Sequence, residues 1–448
     1  MRRLYYLLIN LLSATAIATI AVAQPLTFSV KVTNKWNKDK KDEPVVINLH
    51  QIKQLNFHVS QAIVMLNGHE IPCQLDDMDG DWRADEVVFL TDIAAHEKQT
   101  FSIILRADSL QHEYTPRVYA HMSISPDAKT DLTAFETQGD RFVFNNLYHH
   151  GAAFESELVG FRIYSDARQN VDVYGKKTHR LELGHTMFNS KAQHLKEGYG
   201  HDVLWNGASI ACGTLRNLNP SINLKAHPDS LRRSVIPAEI TQVSRRGQRI
   251  LAYGPLRTVV EMQDFGWKPD RHTAYPLCCR TRYTLYAGHR DVQVDAVFDT
   301  PLHNECFCTG VQKIGRIPTG LLRPDGLAMS WGRDFPDYGK KDLYPEQSVG
   351  LAVYVPPAYI HTLVEDSLSY LYVLKAEGKS SFHYWLTCCA DMEQDGPCHS
   401  AEAWFDSVEH WKNVLQHPVE VSSPILGSRK ITEPAAKSRR SSGSGSRD

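Results

Sequence analysis

The chain has 448 residues with 49 Lys and Arg against 51 Asp and Glu, so no net field draws it to nucleic acid. A hydrophobic content of 42% with 10% aromatic residues suits a packed globular protein and is too polar for one that crosses a membrane many times. The length exceeds what one core usually holds and predicts two domains, while the balanced charge points to a small partner, neutral or weakly charged.

Arg2 and Arg3 precede an apolar run from Leu4 to Ile20, and Ala21-Val22-Ala23 supplies a small-x-small cleavage site, so residues 1–23 read as a signal peptide. A retained anchor is the competing reading, because the run nears the lower length limit for a span. No later stretch approaches a span, which predicts an exported protein, periplasmic or secreted, with no membrane span in the mature chain. Nine cysteines, including Cys278-Cys279 and Cys388-Cys389, lack C-x-x-C spacing, so buried thiols are expected, with a bridge from Cys398 to Cys388 or Cys389 as the first candidate.

Residues 24–120 read as a small N-terminal β-sandwich: "LTFSVKV", "PVVINL", "AIVML", "EVVFL" and "FSIIL" place apolar residues at spacing two. Inside it, "QLDDMDGDWRADEVVF" invites a calcium-loop reading, with Gly80 at the sixth position. Leu75 then falls where the first carboxylate ligand is needed, and the flanks are strand-like, so a turn held by Asp and Gly is the better reading. Residues 138–420 continue in longer strands and form a larger second β domain, while residues 428–448 have no periodicity and read as a disordered tail. Helix signals are scarce; the best starts at the N-cap Ser400, carries Trp404, Phe405, Val408, Trp411 and Leu415 as an apolar stripe, and stops before Pro418.

The chemistry concentrates in "LYHHGAAFESELVGFRIYSD" (147–166), "VDVYGKKTHRLELGH" (171–185) and "EGYGHDVLWNGASIACGTL" (197–215). These supply His149, His150, His179, His185, His194 and His201, with Tyr164 and Tyr199 among the tyrosines, and Gly151, Gly175, Gly200 and Gly207 beside the polar groups. Strand alternation puts Glu155 and Glu157 on one face, with Arg162, Tyr164 and Asp166 forming a second such row. It also separates His149 from His150. Such a face is either solvated or a cleft, and the concentration of His, Tyr, Arg and Lys favours a polar-substrate site. Glycoside hydrolysis would use two carboxylates, and epimerisation a His and a Glu across a sugar ring. β-Elimination from a uronic acid would use a cation or metal, a base and an acid, all of which the cluster contains.

The order of "DDMDGDWRADEVVF", "HHGAAFESELVGFRIYSD", "VDVYGKK", "GYGHDVLWNGAS", "GPLRTVV" and "SFHYWLTCCA" resembles a family of exported bacterial proteins known only as a domain of unknown function and found among polysaccharide-degradation enzymes. The resemblance implies that the large domain is a galactose-mutarotase-like β-supersandwich and that the protein works on carbohydrate, as do relatives linked to dehydration of uronic-acid oligosaccharides such as those from ulvan. The expected function is therefore a carbon-oxygen lyase or dehydratase acting on uronic-acid-containing oligosaccharides. A glycoside hydrolase, a mutarotase-like epimerase and a non-catalytic glycan-binding protein are the alternatives. The catalytic candidates are His150 and His201 as an acid/base or metal-ligand pair, Tyr199 as proton donor and Arg162 facing the carboxylate. Glu155, Tyr164, Lys176, His185 and Asp202 are the substrate-binding candidates. A divalent cation is compatible with this set, and the sequence assigns none.

Overall fold

The computed structural model describes residues 24–125, 130–139, 141, 143–218, 237–269, 275–303 and 305–426; the expected signal peptide and the tail lie outside them. The architecture is all-β, built of antiparallel sheets, as the alternation anticipates.

In the N-terminal part, a sheet containing Leu26–Thr33, Lys98–Arg106, Gln61–Leu66 and His69–Ile71 packs against a three-stranded sheet of Lys40–Asn48, Glu86–Ile93 and Cys73–Asp76. Every second residue points inward, so Val30, Val32, Val45, Ile47, Val87, Phe89, Phe101 and Ile103 share one core cluster. The open edge of the first sheet is closed from the far end of the chain, where Glu420–Val421 and Ile425–Leu426 pair with Leu26–Thr33.

The larger part has a nine-stranded sheet running from Thr319–Leu322 at one edge to Ala134–Gln138 at the other, and two five-stranded sheets. All three contribute to a single core cluster, with Phe154 and Phe161 from one, Val260 and Val294 from the widest, and Phe307 and Val311 from the third. The helix Ala401–Gln416 starts where its sequence indicates, the Ser400 hydroxyl accepting the Ala403 N–H at 3.1 Å. It buries Trp404 and Val408 on the nine-stranded sheet. There Gly350 makes room, since a Cβ at that position would lie 2.6 Å from the Trp404 ring.

The expected disulfide is corrected: none of the nine cysteines is bridged to another. Adjacent residues on a strand face opposite ways, so Cys388 enters the main core and Cys389 the helix-side cluster with Cys398, whose Sγ donates to the Cys389 carbonyl at 3.4 Å. The acidic turn is held as Asp and Gly dictate. Asp77 accepts the N–H groups of Gly80 and Trp82 at 2.6 and 2.7 Å, and Asp85 accepts that of Met78 at 2.6 Å.

Candidate active site

Arg162, Glu155, Tyr164, His201 and Asp202 lie on one five-stranded sheet, ordered His201–Asp202, Val171–Gly175, Gly160–Tyr164, Gly151–Ser156 and Val118–His121, while His150, Lys176, His185 and Tyr199 lie outside its strands. One face supplies Ala120, Phe154, Phe161, Ile163, Val171 and Val173 to the main core. The register puts Tyr119, His121, Glu155, Arg162, Asp172, Tyr174 and Asp202 on the other. That polar face is covered by the segment 177–200, which packs Leu183 and Phe188 onto Tyr174 and Ala153. Two close approaches need glycine: a Cβ on Gly200 would meet the Gly175 carbonyl at 1.8 Å, and one on Gly151 the Ile163 carbonyl at 1.9 Å.

Arg162 is 2% exposed and its guanidinium lies between the Tyr164 and Phe188 rings, 4.6 and 4.2 Å from their centroids. It donates to Asp172 at 2.6 and 2.9 Å, to Asp202 at 2.9 Å, to the Tyr164 hydroxyl at 2.8 Å and to Asn189 at 3.0 Å. Tyr164 in turn donates to Asp172 at 2.7 Å. Burial, then the neighbouring Asp172, pushes the Asp202 carboxyl well above the usual carboxylate range, against the pull of Arg162. Lys176 and Glu155 form a second sealed pair, Nζ to Oε2 2.5 Å, and Glu155 Oε1 accepts the N–H groups of Glu182 and Leu183 at 2.7 Å each. Glu182 then takes the Tyr174 hydroxyl at 2.7 Å and the Gly200 N–H at 2.9 Å.

His149 shows how the cover is fastened. The Phe188 N–H donates to Nδ1 at 3.2 Å, which places the ring proton on Nε2, facing the Leu183 carbonyl at 3.2 Å and His121 Nδ1 at 2.9 Å. Burial, then His121, holds this imidazole well below its ordinary pKa, so it is neutral.

Several expectations are corrected by this geometry. Arg162 and Lys176 do not face a cleft, because their donors are committed inside the fold. Glu155, Tyr164 and Asp202 are sealed with them. Glu155 and Glu157 do not form a row: the strand ends at Ser156, and Glu157 sits in the turn, where it takes Arg117 at 2.8 Å and the Gly288 N–H at 2.9 Å. Asp166 likewise leaves its row to hold Arg168 at 2.8 Å. His150 and His201 are not brought together, for two strands separate theirs, a spacing of about 14 Å across the sheet. His150 stacks on Phe144 with ring centroids 4.1 Å apart and Nδ1 3.0 Å from the Phe144 carbonyl. His185 is exposed on the covering segment, and Tyr199 lies under the Arg180 guanidinium at 3.9 Å.

His201 is 3% exposed and lies against the loop that follows Arg333. Its Nδ1 lies 2.6 Å from the Asp202 carbonyl, its ring is 5.2 Å from that of Tyr344, and burial lowers its pKa to about 4. The loop from Phe335 to Tyr344 reaches this ring and touches the same segment again at Trp205, whose ring meets Tyr338 edge-on at 5.6 Å. Trp205 and Tyr338 remain 47% and 46% exposed, and Lys341 Nζ lies 5.1 Å from the Tyr338 ring. Sequence reasoning missed Asp172, Glu182, Asn189, Tyr338 and Tyr344. An Asp flanked by Val171 and Val173 was the available signal for the first; the tyrosines come from a distant loop and carried none.

Among the described residues, Asp77, Asp79 and Asp85 bring ligand atoms within 4.8 Å of one another, but the backbone N–H groups of the turn occupy Asp77 and Asp85. No helix among them is long and apolar enough to cross a membrane.

A sandwich of antiparallel sheets with a polar face sealed beneath a covering segment is the class of protein this geometry defines. The chain belongs to the DUF4861 family, described as a domain of unknown function, whose model matches residues 32–421. Among curated proteins none matches it. Solved structures similar to it include a protein in the glycosyl hydrolase family 38 from Enterococcus faecalis, at 9% identity and a TM-score of 0.48, covering 91% of this chain and 48% of that one. An alpha-mannosidase from Enterococcus faecalis is similar at 9% identity and a TM-score of 0.43, covering 90% of this chain and 47% of that one. The chain thus spans about half the length of either. The expected carbon-oxygen lyase is corrected: Arg162 and Lys176, the cations that elimination was to use, are sealed in ion pairs inside the fold.

Proposed function

We propose that the protein hydrolyses a glycosidic bond in an oligosaccharide held across a rim formed by the exposed rings of Trp205 and Tyr338, with Tyr344 and His201 buried behind them. The observation that carries this is the fastening of the loop 335–344 to the segment 201–205 at both ends. It leaves two nearly half-exposed aromatic rings on the same two segments that carry the buried His201 and Tyr344. Rigid aromatic faces stack on the C–H faces of sugars, and a few polar groups fix orientation.

Hydrolysis suits the charges at hand. It needs two carboxylates, one to protonate the leaving oxygen and one to activate water or attack. Asp337 lies on the loop 335–344, where it accepts the Gly339 N–H at 2.8 Å, and Asp391 accepts the Ser348 N–H at 3.0 Å; these are the two carboxylates to test for the role. Lys341 Nζ lies 5.1 Å from the Tyr338 ring, which makes acidic sugars the first substrates to test.

The test is incubation of the protein with oligosaccharides that do and do not contain uronic acids, followed by mass spectrometry and a reducing-end assay. New reducing ends with the gain of one water per cut support the proposal, and Asp337→Asn and Asp391→Asn should each lower turnover at least about a hundredfold with an unchanged melting temperature. Binding without turnover would remove hydrolysis and leave a glycan-binding protein. Neither binding nor turnover would remove both.

A further inference from the structure

A crevice of about 320 Å³ lies where the strand Lys40–Asn48 and the helix Ala401–Gln416 meet the outer face of the nine-stranded sheet. Its walls are aromatic, from Trp385, Trp411 and Tyr286, and its acceptors are the carboxylates of Asp291 and Glu43 and the side-chain carbonyl of Gln293, beside the cations of Lys40 and His289. Gln293 is held from behind, donating its amide to Asp295 at 2.9 Å, which leaves its oxygen for the crevice.

The two cations present are already committed. Lys40 Nζ lies 3.0 Å from Glu43, and His289 bridges Asp291 at 3.1 Å and the Asp42 carbonyl at 3.0 Å. Burial works against the His289 cation, but Asp291 outweighs it and raises the pKa to about 9; the same contact overcomes burial at Asp291 and keeps it ionised.

We propose that this crevice is a second carbohydrate subsite that takes one neutral sugar ring, with its apolar face on the indoles and its hydroxyls donating to Asp291, Glu43 and Gln293. The volume matches the lower end of small-ligand pockets, and the mix of aromatic walls with a few fixed polar groups is what such pockets share. A uronate would meet two carboxylates and no free cation, so the crevice selects against the acidic sugars that the rim favours. It requires no turnover and does not depend on the rim.

Saturation-transfer NMR on the full chain tests it with glucose, galactose, mannose, rhamnose and glucuronate. At least one neutral sugar should receive saturation while glucuronate does not. Gln293→Ala should weaken that binding at least about tenfold, Val46→Trp, which fills the crevice from the opposite wall, should abolish it, and Trp205→Ala at the rim should leave it unchanged. Absence of transfer to every neutral sugar overturns the proposal. So does wild-type affinity in both crevice variants, or loss of binding in Trp205→Ala.

Discussion

The Lys176 ammonium lies 2.5 Å from the Glu155 carboxylate with both side chains sealed from solvent. Two residues that look like substrate ligands in the sequence are therefore a structural pair, and removing one partner should strand the other. Lys176→Met should lower stability by about 3–5 kcal/mol in urea unfolding, whereas the double variant Glu155→Gln, Lys176→Met should recover a substantial part. An unchanged unfolding midpoint in Lys176→Met would return Lys176 to the role of a solvent-facing ligand.

Arg162 joins Asp172 to Asp202 through a planar fork while packed between two rings. A lysine reaches only one of these carboxylates and leaves the other unpaired. Arg162→Lys should therefore melt well below the parent, with a loss of about 3 kcal/mol or more, while Tyr164→Phe, which deletes one hydroxyl between Arg162 and Asp172, should lose about 1–3 kcal/mol. Equal melting temperatures for parent and Arg162→Lys would contradict the geometry.

His201 is buried and neutral, with a pKa of about 4 against 6.5 for the free side chain. The unfolded chain takes up that proton first, so stability should be intact above about pH 6.5 and fall as the pH drops toward 4, by on the order of 3 kcal/mol for this group. His149 is held down in the same direction and adds to the effect. His201→Gln should flatten the acid limb of a plot of melting temperature against pH; an identical limb would show that His201 is solvated.

Trp205 is nearly half exposed and touches Tyr338 only edge-on, so truncating it costs the fold little. Trp205→Ala should bind oligosaccharide at least about tenfold more weakly with a melting temperature within two or so degrees of the parent, as calorimetry and thermal scans can read. Retained affinity would move the substrate off this rim.

At Gly200 a Cβ would stand 1.8 Å from the Gly175 carbonyl. Gly200→Ala should force the segment before His201 away from its neighbouring strand and destabilise the protein by more than about 2 kcal/mol, measured by chemical unfolding, while Gly198→Ala, which meets no atom within 4 Å, should cost only the roughly 1 kcal/mol of its left-handed φ of +81°.

The strand pattern was legible because alternation is local: Val30 and Val32, or Phe101 and Ile103, announce their inward face within one strand. The helix was legible for the same reason, through Ser400 and the stripe it precedes. The polar face was half legible. Alternation put Glu155 on a polar side but could not tell solvent from cover, and it does not apply to His149 and His150, which stand in the turn before the strand, His150 with a φ of +65°. Whether Glu155 is wet depends on Leu183 and Glu182 folding back over it, and whether Arg162 is free depends on Asn189 and Asp202, tens of residues away. Tyr344 and His201 meet only through tertiary structure, so no spacing could pair them.

The first and last described strands share a ladder, with Phe28 opposite Leu426 and Thr33 opposite Glu420. A ribosome delivers one side of that seam at the start of its work and the other near the finish, and the Ser29 to Ile425 bond spans 396 positions of chain. Until then the growing N-terminal sheet carries a bare hydrogen-bonding edge, an invitation to pair with a neighbouring copy. Chains cut short before Glu420 should therefore aggregate more readily than the full chain, since nothing then covers that edge.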